Sequence, residues 1–275
     1  YDSAGIAVYN DGAIAVRKKA GRLVNLAEEV KAHPVVGTLG IGHTRWATHG
    51  GPSDVNAHPH TDEKGNFAIV HNGIIENYME LKEELLKKGY HFKSETDTEV
   101  VAHLCADMYD GDFTSTVRKV LARLRGSYSL VFMCKFEPDK IICSKKDNPL
   151  IVGLGQGENY IASDIPAILS YTRKTYIMND GEIAIVMKDN VWVTDLEGKP
   201  ISKKVFEVNW DAEAAEKGGF EHFMLKEIYE QPKAIKDTMS CRITKDGKHV
   251  HFEELNWTPE DVKSIGKILI TACGT

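Results

Sequence analysis

The sequence predicts an α+β fold of antiparallel sheets covered by helices, and three observations predict it. Strand-like segments follow one another through tight turns, as at Asn10-Asp11-Gly12. Helical spacings arrive in consecutive runs and do not alternate one for one with strands, as a doubly wound parallel sheet would require. The 275 residues are 42% hydrophobic, enough for a sizeable core.

Element by element, Ala4 to Tyr9 alternates as a strand, the Asn-Asp-Gly turn follows, and Ala13 to Arg17 alternates again. Leu23, Leu26, Ala27 and Val30 recur at helical spacing behind Gly21. Pro34 ends that helix, and Val35 to Ile41 resumes as a strand, so that the segment HTRWATHG, residues 43 to 50, follows a strand. Asn66 to His71 is a second strand ending at His71-Asn72-Gly73, after which Ile75 to Lys88 reads as an amphipathic helix closed by Gly89. Thr96 and Asp97, with Glu99 close behind, start another helix through Tyr109. From Ser127 to Val193 the pattern is short strands with turns at Lys146 to Pro149, Gly155 to Gly157, Asn179 to Gly181 and Lys188 to Asn190; helices interrupt them near 114 to 125 and 164 to 170. Composition changes near 211: Asp211 to Gly219 is charged and alanine-rich, and Phe220 to Ser240 is a long helical stretch containing Pro232, read as a linker or docking helix. Thr258 to Ser264 is a short helix, and Lys267 to Ala272 an apolar strand running into Cys273-Gly274-Thr275. The expected division is residues 1–212, a linker over 213–257, and the start of a further domain at 258–275.

A formal charge of -6 provides no basic footprint, so nucleic acid is not an expected partner. Apolar runs such as Ser129 to Cys134 and Ile265 to Ala272 fall short of the roughly 18 residues of a membrane span. The five cysteines, at 105, 134, 143, 241 and 273, form no CxxC, and no signal-peptide pattern opens the chain; a reduced cytoplasmic protein is the expectation.

Chemistry concentrates in the first hundred residues. His43, His49, His58, His60 and His71 could hold a metal, but no helical HxxxH fixes which of them would converge, and no metal is expected. Arg45, flanked by Thr44 and Thr48, offers a planar fork that fits a carboxylate; alternatively it makes an internal salt bridge beside a core Trp46. Asn72 and Gly73 can aim two amides at one developing oxyanion, or form an ordinary Asn-Gly turn. Asp97 can bind a substrate ammonium, or simply cap a helix.

The ordered set HTRWATHG, Asn56-Ala57-His58-Pro59, His71 to Asn77 and Thr96-Asp97-Thr98-Glu99 closely resembles the glutaminase domain of the glutamine--fructose-6-phosphate aminotransferases, a family of class II glutamine amidotransferases. Tyr1 to Gly5, Lys226-Glu227-Ile228 with Glu230-Gln231-Pro232, and Ala272 to Thr275 match as well, so the resemblance covers essentially the whole chain. It implies the N-terminal nucleophile hydrolase fold, a four-layered sandwich of two antiparallel sheets between helices. By the match, Arg45, Thr48 and His49 hold the α-carboxylate of glutamine and Asp97 its α-ammonium. Asn72 and the amide of Gly73 form the oxyanion hole, and Trp46 gates ammonia passage. The implied substrates are glutamine and fructose 6-phosphate, with no cofactor, in a homodimeric full-length enzyme whose sugar isomerase half would start at 258–275, with Cys273-Gly274-Thr275 resembling its first phosphate-binding turn. The family nucleophile is an N-terminal cysteine, and none of the five cysteines here takes its place. The chain is thus expected to be a fragment, inactive as it stands. The phosphoribosyl-transferring branch of the class and a silent glutamine-binding module are the alternatives.

Overall fold

A computed structural model describes residues 1–209, 220–240, 242, 243, 250 and 257–269. The chain divides into two compact units, Tyr1–Ala212 and Glu213–Thr275.

In the first unit, β1 (Ser3–Asn10) and β2 (Ala13–Ala20) pair residue for residue, from Ser3↔Ala20 to Asn10↔Ala13. Asp11 and Gly12 turn the chain at φ of 45° and 81°, the left-handed pair that matches the twist of a two-residue hairpin. Helix α1 (Leu23–Ala32) buries Leu26 beside β2. On the other edge of β1 lies β3 (Gly40–Arg45), in register Ala7↔Ile41 and Ser3↔Arg45. The strand expected over 35–41 therefore begins later and runs into the HTRWATHG motif instead of preceding it. Pairing decides this: β1 offers Ser3 to Val8 to residues 40–45, while Val36 stands 72% exposed.

A six-stranded antiparallel sheet, in the order β12-β11-β7-β6-β5-β4, is built from β4 (His60–Thr61), β5 (Phe67–Ile75), β6 (Gly126–Cys134), β7 (Lys140–Lys146), β11 (Ile183–Met187) and β12 (Val191–Thr194). A four-stranded sheet, in the order β13-β10-β8-β9, uses β8 (Ile151–Leu154), β9 (Asn159–Ala162), β10 (Lys174–Ile177) and β13 (Phe206–Glu207). Alternation along β5 assigns its faces. Phe67, Ile69 and Ile75 join Leu130 and Phe132 of β6 under α2 (Tyr78–Lys87), α3 (Glu99–Met108) and α4 (Phe113–Leu121), where Leu85, Leu104 and Val117 complete the main core. Ala68 and Val70 face the other way, against Ala7 of β1 and Ile41 of β3. Farther along, Cys143, Ala184 and Val186 of the large sheet pack on Leu150, Val152 and Met178. Helices, sheet, sheet and α1 thus form the layers of the expected sandwich. Among the described residues the second sheet layer consists of two hydrogen-bonded pieces, β2-β1-β3 and β13-β10-β8-β9, where one sheet was expected.

Three local expectations change. β5 does not end at His71: it pairs with β6 from Phe67↔Cys134 to Ile75↔Gly126, and α2 starts only at Tyr78, after Asn77 bridges the carbonyl of Arg123 and the amide of Arg125 at 2.9 and 2.8 Å. Asn72-Gly73 is therefore neither a turn nor a strand end. Asp97 caps nothing, because α3 begins at Glu99 with Thr98 at the N-cap. The helix expected near 164–170 shrinks to a 3-10 turn at Ile165–Ala167, opened by Asp164 accepting from the Ile165 amide at 2.8 Å.

In the second unit α5 (Phe223–Ser240) carries Pro232 inside it, and α6 (Pro259–Ser264) opens with a capping box between Thr258 and Asp261. Lys267 to Leu269, expected to start a strand, have no regular structure. Ile270 to Thr275 with the expected phosphate-binding turn, Asp211 to Gly219, and Cys241 lie outside the described residues.

Candidate active site

Three segments far apart in sequence meet because β3 lies across the end of β5 and the residues before α3 run beside it. Residues 43–46 with Thr48 and His49, His71 to Gly73, and Thr96 to Thr98 line one cavity of about 260 Å3, with Tyr1, His58 and Ser163. All seven residues singled out from sequence (Arg45, Trp46, Thr48, His49, Asn72, Gly73 and Asp97) are among its walls.

Arg45 is 4% exposed. Its Nη2 donates to the carbonyl of His49 and, at 3.0 Å, to that of Gly50, so the loop after β3 is wrapped around the guanidinium. Its Nη1 is buried without a hydrogen-bond acceptor, and the Asp2 carboxylate stands 4.0 Å off, in distant ion-pair range. A buried cationic nitrogen lacking an acceptor is costly, and an anion entering the cavity would remove that cost. Of the alternative, the internal salt bridge survives only as this long contact to Asp2, and the core tryptophan fails, since Trp46 is 78% exposed at the rim.

Asp97, 5% exposed, accepts from the Ile75 amide at 2.7 Å through Oδ2 and from the Thr98 hydroxyl at 3.4 Å through Oδ1. It ties the last residue of β5 to the start of α3 and is itself one of the residues lining the cavity. Thr48 and His49 complete that wall, with the His49 ring edge-on to Tyr78 at 5.6 Å and Nδ1 3.4 Å from the Thr48 hydroxyl.

Gly73 holds φ of 124°, and a Cβ there would sit 2.1 Å from the Ser127 carbonyl oxygen and 2.5 Å from Asn148 Nδ2. Gly73→Ala is expected to lower stability by about 1–3 kcal/mol from the backbone conformation alone, with the clash added to it. Urea unfolding of the variant would measure it, and an unchanged midpoint would refute the reading.

The histidines are engaged with protein. His60 Nε2 lies 3.1 Å from the Thr96 hydroxyl, His71 Nδ1 lies 2.9 Å from the Thr98 hydroxyl, and His58 Nδ1 accepts from the His71 amide at 3.3 Å. Among the described residues no three or more His, Cys, Asp or Glu converge as ligands would. Burial, reinforced by the Lys18 charge, pushes His60 down to about 3. Burial also pushes His71 down to about 4, against the opposing pull of Asp97. Both rings stay neutral when folded and take a proton near pH 6.5 when unfolded. Stability is therefore full above 6.5 and falls as pH drops, by up to about 1.4 kcal/mol per pH unit for each histidine. Urea midpoints should decline between pH 7 and 5, and His60→Gln should make the decline shallower; a flat profile would contradict the burial argument.

Cys105, Cys134 and Cys143 are buried in the core, away from this cavity. Burial pushes the Cys134 thiol up to about 11 and the Cys143 thiol up to about 12, and holds Cys105 well above its ordinary value. None of the three is a nucleophile as placed. Sequence reasoning singled out neither Asn148, whose Nδ2 donates to the Asn72 carbonyl at 3.0 Å, nor Ser163 on the cavity wall. Asn148 sits in a connection whose only visible signal was turn composition, and Ser163 just ahead of a segment that read as a helix.

A family model described as a glutamine amidotransferase domain matches residues 43–170. Curated relatives named glutamine--fructose-6-phosphate aminotransferase (isomerizing) align with all 275 residues: 58% identical in Caldanaerobacter subterraneus subsp. tengcongensis, 53% in Clostridium tetani and 52% in Aquifex aeolicus. The chain spans 45% of the length of each of these relatives. Among solved structures, the glutamine phosphoribosylpyrophosphate amidotransferase from B. subtilis is 26% identical with a TM-score of 0.60, over 71% of this chain and 43% of that one. A class-II glutamine aminotransferase domain protein from Silicibacter pomeroyi, 14% identical with a TM-score of 0.51 over 71% of this chain and 91% of its own, shares the fold.

Proposed function

The chain belongs to the glutamine--fructose-6-phosphate aminotransferase family of glutamine amidotransferases, and from that premise we propose that it releases ammonia from glutamine for transfer to fructose 6-phosphate. The products are glucosamine 6-phosphate and glutamate. One observation carries the reading: Arg45, buried with its Nη1 short of an acceptor, and Asp97 line the same cavity as Asn72 and Gly73. A guanidinium and a carboxylate match the two charges of an α-amino acid, while the two amides match a side-chain carbonyl turning into an oxyanion.

In this reading Arg45, Thr48 and His49 take the α-carboxylate and Asp97 the α-ammonium. A thiolate attacks the carboxamide carbon, and negative charge forms on oxygen opposite Asn72 Nδ2 and the Gly73 amide. Collapse expels ammonia as the leaving nitrogen takes up the proton that the thiol gave up on ionising, and water then cleaves the thioester, giving glutamate and restoring the thiol. That thiol comes from a residue other than Cys105, Cys134 and Cys143. Trp46, exposed at the rim, gates the ammonia. A homodimeric cytoplasmic enzyme, with residues 1–212 as its glutaminase domain, 213–257 as linker, and sugar isomerase domains starting from 258, belongs to the same proposal. Identity of 58% to the aminosugar relatives against 26% to the phosphoribosyl-transferring enzyme supports this branch over the other.

Calorimetric titration with glutamine and with two analogues tests the reading. Glutaramate lacks the α-amine and γ-aminobutyramide lacks the α-carboxylate. Glutamine should bind at least about tenfold more tightly than either, since each analogue leaves one buried charge unmatched. Equal binding of all three would overturn it.

A further inference from the structure

Asn72 can serve an oxyanion only if its carboxamide presents nitrogen, and not oxygen, to the cleft. Nothing in the side chain's own torsion secures this, because the two ends of the amide are nearly isosteric and the final torsion is broad and two-fold. Alternation places Asn72 on the face of β5 shared with Ala68 and Val70, the face turned toward β3. There His43 Nε2 lies 2.7 Å from Asn72 Oδ1. We propose that His43 is the positioning residue that fixes which end of the Asn72 amide faces the cleft, donating from Nε2 to the amide oxygen so that Nδ2 is left for the substrate. This rests on the reading of Asn72 as an oxyanion donor.

The tautomer follows from the surroundings. His43 Nδ1 is buried with no hydrogen-bond partner, while Nε2 has the Asn72 oxygen, so the single proton of the neutral ring belongs on Nε2. Burial, aided by the Arg45 charge, holds His43 below the usual imidazole range, against the pull of its bond to Asn72 and of the nearby His71 backbone. The ring plane is fixed by stacking on His58, with centroids 4.4 Å apart and planes 20° apart. His58 is held in turn by the His71 amide on its Nδ1 and by the edge of His60 at 4.8 Å. On the other side, Asn148 Nδ2 donates to the Asn72 main-chain carbonyl at 3.0 Å, so the backbone from which the amide projects is also tied down. With both anchors set, the orientation of the carboxamide depends on one donor.

The test uses the full-length protein that carries this chain. His43→Phe keeps a ring to stack on His58 and removes the donor. It should lower glutaminase kcat by about 10- to 100-fold while leaving KM for glutamine within about threefold. In an Asn72→Ala background the same substitution should change kcat by less than twofold, because no amide remains to be oriented. Additive losses, or a KM effect with kcat unchanged, would overturn the proposal. His43→Gln retains an N–H donor and should keep kcat within about fivefold; a larger loss, or full activity of His43→Phe, would also overturn it. Nitrogen-15 spectra of the Asn72 carboxamide report on the amide directly. Its resonances should move or broaden in His43→Phe, and unchanged resonances would refute the positioning role whatever the activity. If they move while Asn72→Ala retains full kcat, the oxyanion reading fails and the positioning contact stands.

Discussion

Replacing Arg45 by lysine in the full-length protein is expected to raise KM for glutamine by about 30- to 100-fold with a small effect on kcat. The guanidinium of this cavity-lining residue is divided in its contacts: Nη2 holds the carbonyls of His49 and Gly50, and Nη1 is buried without an acceptor. A lysine ammonium is a single point of charge on a longer stem and cannot reach both. If it stays with the two carbonyls, the substrate carboxylate loses its partner; if it turns to the carboxylate, the loop over residues 46–50 loses the centre it is wrapped around. Either way an interaction made equally in the ground state and the transition state is lost, which appears in KM. The magnitude corresponds to about 2–3 kcal/mol for one charge-assisted pair. Steady-state kinetics would decide, and an unchanged KM would remove Arg45 from the binding site.

Asn72→Ala is expected to act on the other parameter, lowering kcat by about 10²- to 10³-fold with glutamine binding nearly intact. Charge accumulates on the carboxamide oxygen only as its carbon becomes tetrahedral, so a donor aimed there stabilises the transition state more than bound substrate. The position lies within β5, paired to Ser129 of β6, and the strand register does not depend on its side chain. The variant should therefore fold with an unaltered sheet. Weakened binding with normal turnover of bound substrate would make Asn72 a binding residue and leave the oxyanion to other donors.

The separation of these two effects has its origin in the fold. Arg45 ends β3 in the smaller sheet, whereas Asn72 lies inside β5 of the six-stranded one. Ala7 and Ile41 packing on Ala68 and Val70 sets the distance between the two sheets and hence the width of the cleft. Sequence patterning exposed both strands but placed their boundaries wrongly by several residues. The reason is the same in each case: a strand extends as far as its neighbour pairs with it, and β1 and β6, not local composition, supply those partners.

By itself the sequence determined the layered antiparallel architecture, the hairpin at Asp11-Gly12, the helices other than the one expected near 164–170, and the family from an ordered set of short motifs. These signals are local: alternation, helical spacing, turn residues, and the types of side chain near one another in the chain. Tertiary structure alone decided that Arg45 Nη1 would lack an acceptor and that Asp97 would bind the Ile75 amide and cap no helix. It also decided that Gly73 would sit at φ of 124° against the Ser127 carbonyl, and that His43 would meet Asn72 across 29 positions of sequence. Each of these is a contact between segments brought together by the packing of one sheet on another or by strand pairing. A hydrogen bond is directional to a few tenths of an ångström, while a sequence pattern specifies only which face of an element is buried. The composition of the site was therefore written locally, and the orientation of its atoms only globally.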